Sequence, residues 1–352
     1  MHARMKGSNE YACYKISKKI IADNDKYKKK ETSSDNIPFW DAYYVSYTDI
    51  YDYSKKKQSL KKWEVELNIP HDEFEWDWDT PLPEDKWEEA AKYNINDLNA
   101  TEAVWFATQS DFTTRMILAD ISDGTVNDSD NTLTAKLIFG DEYKTAKNYL
   151  HYRDLSKPVH EIDDEMREFL EEAYPEMMAE PHGEEKSILP YFPGYTFDPA
   201  KPNDQKSVYK GEYIGEGGLV RAIHGVYKYS MTFDVTSEHP NSACAEYLFG
   251  KFTKVYYALK EARKHIKHKN FDALKDMFNG KLMKYLEDKK EAKKLSTSLK
   301  VPINSIYGLT KARTNNKFKD PRNVDNIVAK RGALFMMDLK EEVEKLGYKV
   351  FH

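Results

Sequence analysis

The chain has 352 residues, of which 40% are hydrophobic and 13% aromatic, enough to fill real cores and to exclude wholesale disorder. Charged residues make up 32%, and no apolar run approaches the length of a membrane span. The net charge of -5 hides an asymmetry, with an acidic run at 161–185 and a lysine-crowded stretch at 251–300, so a nucleic-acid surface is not excluded. The length fits two or three lobes. Cys13 and Cys244 offer neither a disulfide framework nor zinc spacing, and the opening MHARMKGSNEYACYK has no apolar signal region. The expected location is therefore a reducing cytoplasm.

In chain order, residues 1–24 carry a partly periodic apolar stripe and are expected to be helical. AYYVSYTDIYDY (42–53) reads as a buried strand followed by a turn. SLKKWEVELNI reads as an amphipathic helix, and a long helix is expected from about Glu84 through YNINDLNATEAVWFATQSDFTTRMILAD. The acidic run reads best as a helix with a solvated face. Proline and glycine recur over 180–210, which suggests a boundary between lobes.

Beyond it, GGLVRAIHGVYKYSMTFDV alternates like two strands joined near His224-Gly225. SEHPNSACAEYLFG reads as a helix with Pro240 in its first turn and Gly250 at its end. Two basic helices follow, near 252–269 and 288–301. A last helix carries Phe335, Leu339, Val343 and Leu346 at helical spacing, is capped by Gly347, and leads into YKVFH as the start of a strand.

Three constellations carry chemistry. In MTFDVTSEHPNS, Asp234 ends an apolar strand just before a tight turn, a place from which a carboxylate can hold a divalent metal. The bland alternative is an aspartate capping the turn. On LKEARKHIKHK, Arg263 and Lys267 share a helix face, and with Lys300 of the second basic helix they could clamp a triphosphate. A solvated charged face is the simpler reading. In LKVPINSIYGL, Lys300, Asn304, Tyr307 and Gly308 either border a base pair or end a helix at a glycine.

Asp-x-x-Ser-x-x-Pro at 234–240, followed by basic helices and Lys-x-x-x-Asn-Ser-x-Tyr-Gly at 300–308, resembles motifs A and B of family B DNA polymerases of the phage type. The resemblance implies a mixed α/β fold. It would hold a partial RNase H-like exonuclease module (1–120), a connecting region (121–210), a partial palm with a β-hairpin and motif A (211–250), antiparallel helical fingers with motif B (251–310), and a return to the palm (311–352). It implies that Asp234 binds catalytic Mg²⁺ and that the backbone of Val235, Thr236 and Ser237 meets metal and triphosphate. Arg263, Lys267 and Lys300 would bind the triphosphate, and Asn304, Tyr307 and Gly308 would lie beneath the nascent base pair. YIGEGG, with Tyr213, Gly217 and Gly218, looks like the family's template-contacting segment. Tyr93 and Asp97 at Tyr-x-x-x-Asp spacing resemble the third motif of the 3′–5′ exonuclease, with Asp97 as metal ligand and Tyr93 orienting water.

The sequence also departs from the family. The steric-gate tyrosine of motif A is His239, preceded by Glu238. No Thr-Asp-Ser turn follows motif B; DWD (77–79) and DSDN (128–131) lie upstream of motif A. The second palm aspartate, the thumb and the first two exonuclease motifs are missing. The implied ligands are primer–template DNA, dNTP and Mg²⁺, with a second polypeptide as a source of the missing parts and no membrane. The expectation is a segment of a DNA-directed DNA polymerase that is inactive alone. The rival is a non-catalytic nucleic-acid-binding protein using the basic helical hairpin; a stand-alone nuclease has only one nameable carboxylate.

Overall fold

The computed structural model describes residues 15, 48–71, 73–77, 80, 82–202, 204–215, 222–311 and 326–351, with backbone only for 307–311. The chain divides into two units, Met1–Asp52 and Tyr53–His352. Of the first, the helix expected over 1–24 and the strand over 42–47 lie almost wholly outside the described residues. Ile50–Tyr53, where a turn was expected to follow the strand, form a helical turn.

The second unit is mostly helical. Helix α1 (Leu60–Leu67) starts where the Ser59 hydroxyl accepts from the Lys62 N–H, and stops at Asn68 in the left-handed region (φ 55°). Helix α2 (Trp87–Ile121) has 35 residues, so it runs about 50 Å. Its C-terminal half is buried through Val104, Ile117, Leu118 and Ile121, whereas Ile95, Leu98 and Phe106 are exposed. Helix α3 (Asp130–Phe139) is capped by Ser129. The Arg115 guanidinium anchors that cap, pairing with Asp130 at 3.0 Å and donating to the Val126 and Asp128 carbonyls. DSDN is thus a helix cap. Helix α4 (Asp164–Ala173) buries Met166, Phe169 and Leu170 and leaves its acids outside, the solvated face expected of the acidic run. No strand occurs among the described residues of 48–150, so the β-part of an RNase H-like module is not seen there.

The sheet lies elsewhere than expected. Strands β1 (Thr196–Phe197), β2 (Ser207–Tyr209) and β3 (Glu212–Ile214) form an antiparallel meander. The β2–β3 turn is Lys210-Gly211, both with positive φ (49° and 80°), as a two-residue hairpin requires. Residues 180–210, expected to separate lobes, bury Leu189, Phe192, Tyr195 and Tyr209 in the same core as the helices around them.

The strands expected over 217–235 are a correction. Residues 222–235 form no strand, and Val226, Tyr229, Met231 and Phe233 are exposed. Alternation is only half of a strand; the other half is a partner backbone and a face to pack on. Among the described residues this segment finds one backbone bond, Ile223 N–H to the Phe351 carbonyl at 2.9 Å, and a stack of Tyr227 on Phe351 at 4.1 Å. YKVF itself forms no strand.

Helix α5 (Glu238–Ala245) holds Pro240 in its first turn but ends at Ala245, five residues before Gly250. Gly250 has φ 52° and sits so close to the Tyr149 carbonyl that a Cβ would lie 3.0 Å from it. Helices α6 (Thr253–Lys267) and α7 (Lys289–Lys311) pack antiparallel, joined by short 3₁₀ turns between 272 and 285. Helix α7 carries Pro302 inside it and continues through Gly308 to Lys311, so the glycine stop does not operate. Helix α8 (Ile327–Lys345) is followed by Gly347 with φ 88°, the expected cap. Leu259 and Ala262 of α6, Leu295 and Leu299 of α7, and Val328 and Leu334 of α8 share one core cluster.

Candidate nucleotide and nucleic-acid interface

Two side-chain bonds fix the register of the helical hairpin. Tyr256 Oη donates to the Ile303 carbonyl at 2.7 Å, and Arg263 Nε donates to the Ser296 carbonyl at 3.2 Å. In both pairs the residue numbers sum to 559, as antiparallel helices in one register require. Arg263 is therefore level with Ser296, and Lys300 lies one turn further, about 6 Å along the axis. Lys267 lies one turn to the other side, so the three cations span roughly 12 Å.

Burial holds the Arg263 guanidinium below its ordinary value, though it stays charged. Lys267 and Lys300 are exposed and have no carboxylate partner among the described residues, whereas Lys260, Lys264, Lys281, Lys284 and Lys294 each hold one. Lys289, Lys290 and Lys293, at the start of α7, are unpaired too. Asn304 is exposed on the same helix. The side chains of Tyr307 and Gly308 lie outside the described residues; their backbone is helical.

Asp234 is exposed and has no hydrogen bond or ion pair among the described residues. The turn behind it is built firmly. Ser237 adopts the left-handed region (φ 54°), its carbonyl accepts from the Asn241 N–H at 2.9 Å, and the Asn241 amide donates to the Thr236 carbonyl at 2.9 Å. Lys260 of α6 reaches the Asn241 Oδ1 at 2.8 Å and lies 4.2 Å from the Tyr257 ring centre. Lys260 thus ties the basic hairpin to the turn after Asp234. Sequence reading passed over it because its spacing from Arg263 marks only a shared face.

His239 has its Nδ1 against the Glu238 carboxylate. That hydrogen bond raises the imidazole above its ordinary value of 6.5, against a smaller opposing effect of burial. Glu238 Oε1 also accepts from Ser242 Oγ at 3.0 Å and lies against Gly332 of α8, where a Cβ would come within 1.8 Å of it. A raised histidine stabilises the fold below its unfolded value, and that contribution is lost as pH rises through the folded value. Wild type should therefore lose stability between pH 6 and pH 8, and E238Q should lose less. Denaturant melts at the two pH values measure this; equal losses would show that the pair is not formed.

A buried ion cluster sits beneath α5. The Glu246 side chain is 2% exposed and takes the Arg153 guanidinium through both carboxylate oxygens, with Arg331 Nε 2.9 Å from Oε1. Arg153 also donates to the Pro190 carbonyl at 2.6 Å. Arg331 Nη1 reaches Ser242 Oγ at 3.4 Å, which connects the cluster to Glu238 and His239. No sequence signal marks Glu246, because its partners are 93 and 85 residues away.

Tyr93 and Asp97 lie one turn apart on the exposed half of α2. Lys61 Nζ of α1 binds Asp97 at 2.9 Å, touches Glu64 Oε1 at 3.3 Å and stands 4.5 Å above the Tyr93 ring. Burial works to lower the Lys61 ammonium, but its bonds to Asp97 and Glu64 win and hold it above its ordinary value. The Glu64 side chain is fully buried and also takes His71 Nδ1 at 2.7 Å. Asp97 is therefore neutralised by a lysine. Glu64, missed in the sequence, is a second carboxylate sharing that lysine.

Tyr213 is exposed on β3; Gly217 and Gly218 lie outside the described residues. No group of three or more His, Cys, Asp or Glu side chains among the described residues could hold a metal ion. Asp234 offers one open carboxylate and Asp97 a lysine-bound one, which is short of the donor set a metal pair needs. No helix among the described residues is long and apolar enough to cross a membrane. No family model, curated protein or solved structure matches the chain.

Proposed function

We propose that the chain is the nucleotide- and primer–template-binding segment of a family B DNA-directed DNA polymerase of the phage type. The observation that carries this reading is the ordered motif pair, Asp234 to Pro240 and Lys300 to Gly308, together with the hairpin register that lines up Lys267, Arg263 and Lys300. In this reading Arg263 forks onto phosphate oxygens, with Lys267 and Lys300 as point charges beside it. Asp234 supplies one ligand to Mg²⁺, whose chemistry in such enzymes is to neutralise charge on the phosphate and the attacking oxygen. In this reading a second polypeptide would supply the remaining metal ligands. Asp97 and Tyr93 belong to the back of a 3′–5′ exonuclease module that is likewise incomplete.

The second reading, a nucleic-acid-binding protein without nucleotide recognition, draws on Lys289, Lys290 and Lys293, which have no carboxylate partner among the described residues. Its affinity would fall steeply with salt and ignore nucleotides. The deciding experiment titrates labelled primer–template with the chain, with and without the dNTP complementary to the next template base. The polymerase reading expects the complementary dNTP to tighten binding and a mismatched one not to, with no primer extension by the chain alone. Equal affinity in all three conditions leaves the second reading, and primer extension would sink the view that the segment is incomplete.

A further inference from the structure

A cavity of about 680 Å³ lies between the 174–192 segment, α5 and α8. Small-molecule sites ordinarily measure about 300–1,000 Å³. Its walls include Met177, Tyr191, Phe192 and Phe335, so a ligand would meet mostly aromatic and thioether surface. The wall at 182–191 is firmly built. The His182 and Ser187 backbones pair at 2.6 and 2.9 Å, and Gly183, with φ 71°, leaves the room that the Tyr191 ring occupies. Most polar groups of the cavity are engaged within the protein. Tyr174 Oη donates to Asn241 Oδ1 at 3.2 Å, and the Asn241 amide donates to the Thr236 carbonyl. His182 Nε2 donates to the Met177 carbonyl at 2.8 Å, and Asp338 holds Tyr209 Oη and Lys210.

Arg331 is the exception. Its Nε stands 2.9 Å from Glu246 Oε1 but makes no hydrogen bond, its Nη1 reaches Ser242 Oγ only at 3.4 Å, and its Nη2 has no partner among the described residues. A guanidinium has several N–H donors to satisfy, and a side chain 17% exposed cannot give them all to water. The charge is unbalanced as well. Arg153 and Arg331 share the one carboxylate of Glu246, so the cluster keeps a single positive charge beside the cavity. We propose that the cavity binds a small aromatic monocarboxylic acid, its carboxylate forked by Arg331 and its ring against Tyr191, Phe192 and Phe335. One negative charge completes the cluster. A dianion would bring a second charge near Asp338 and Glu176, which also line the cavity. The site does not rest on the polymerase reading.

The test titrates phenylbutyrate into the full-length chain, labelled with carbon-13 at its methionine methyls. The Met177 resonance, assigned with M177L, should shift saturably with a Kd of about 1 mM or tighter, and that of Met283, outside the cavity, should not. Phenylbutanamide, the neutral analogue, and phenyl phosphate, a dianion, should each bind about 10-fold or more weaker. R331Q should weaken the acid by about 10-fold and change the amide by less than about 2-fold. It leaves Glu246 paired with Arg153 alone, so the fold should survive. Any of four results overturns the site: equal binding of acid and amide, phenyl phosphate as tight as the acid, Met177 unshifted at about 10 mM acid, or equal shifts at Met177 and Met283. An unchanged acid affinity in R331Q overturns it too. Should R331Q not fold, F335A, at a position 44% exposed, takes its place. It should weaken acid and amide alike by about 5-fold, and unchanged affinity overturns the site.

Discussion

Replacing Glu246 with glutamine should destabilise the protein by about 3–5 kcal/mol, the usual cost of removing one partner from a buried ion cluster. Glutamine keeps the shape but loses the charge, so Arg153 and Arg331 are left without an anion to share. Both are largely buried, with side chains 17% exposed, so water cannot fully take over from the carboxylate. The damage should spread, because Arg331 also holds Ser242 and Arg153 holds the Pro190 carbonyl. For a unit of this size the thermal midpoint should fall by roughly 6 °C. The matching control is E287Q, at an exposed position with no ion pair among the described residues, expected to shift stability by less than about 0.5 kcal/mol. Equal melts for the two variants would mean that the arginines are solvated instead of paired.

Lys300→Ala should weaken dNTP binding by about 10- to 100-fold, the effect of one charge-assisted bond to phosphate. Its affinity for primer–template in the absence of dNTP should change by less than about 3-fold, since in the proposed reading many other lysines would share the contact with the backbone. A control is K264A, which removes a cation already engaged by Glu261 at 3.3 Å and should leave dNTP binding nearly unchanged. If instead K300A lowers DNA affinity and trims the salt slope by about one unit, with no selective effect on dNTP, Lys300 is one backbone contact among several.

The helices were the readable part of the sequence. The apolar periodicity of α8 and the Gly347 cap follow from rules that operate within a few residues. The same local rules misjudged α7. Pro302 and Gly308 look like a stop, yet the helix is held from outside by the α6 face, where Leu295, Leu299 and Ile303 are buried. The strands expected over 222–235 failed for the converse reason, since their pattern needs a partner that local sequence cannot supply. In the candidate site, motif spacing found Arg263, Lys267 and Lys300, and the structure added the register that aligns them. Lys260, Glu246, Glu64 and Arg331 were invisible, because each earns its place through a contact remote in sequence. Arg331 and Ser242 are 89 residues apart.

The exposed stretch around Asp234 has a practical consequence. In SMTFDVT (230–236) the aspartate is the single charge, set among Met231, Phe233 and Val235, which alternate on a backbone with no strand partner among the described residues. Such a segment is a ready template for intermolecular β-pairing, and one charge in its middle acts as a gatekeeper against it. Neutralising Asp234, the first change anyone would make to abolish metal binding, also removes that safeguard. A weakened nucleotide or DNA affinity in D234N or D234A therefore carries meaning only beside a measurement of how much of the variant stays monodisperse.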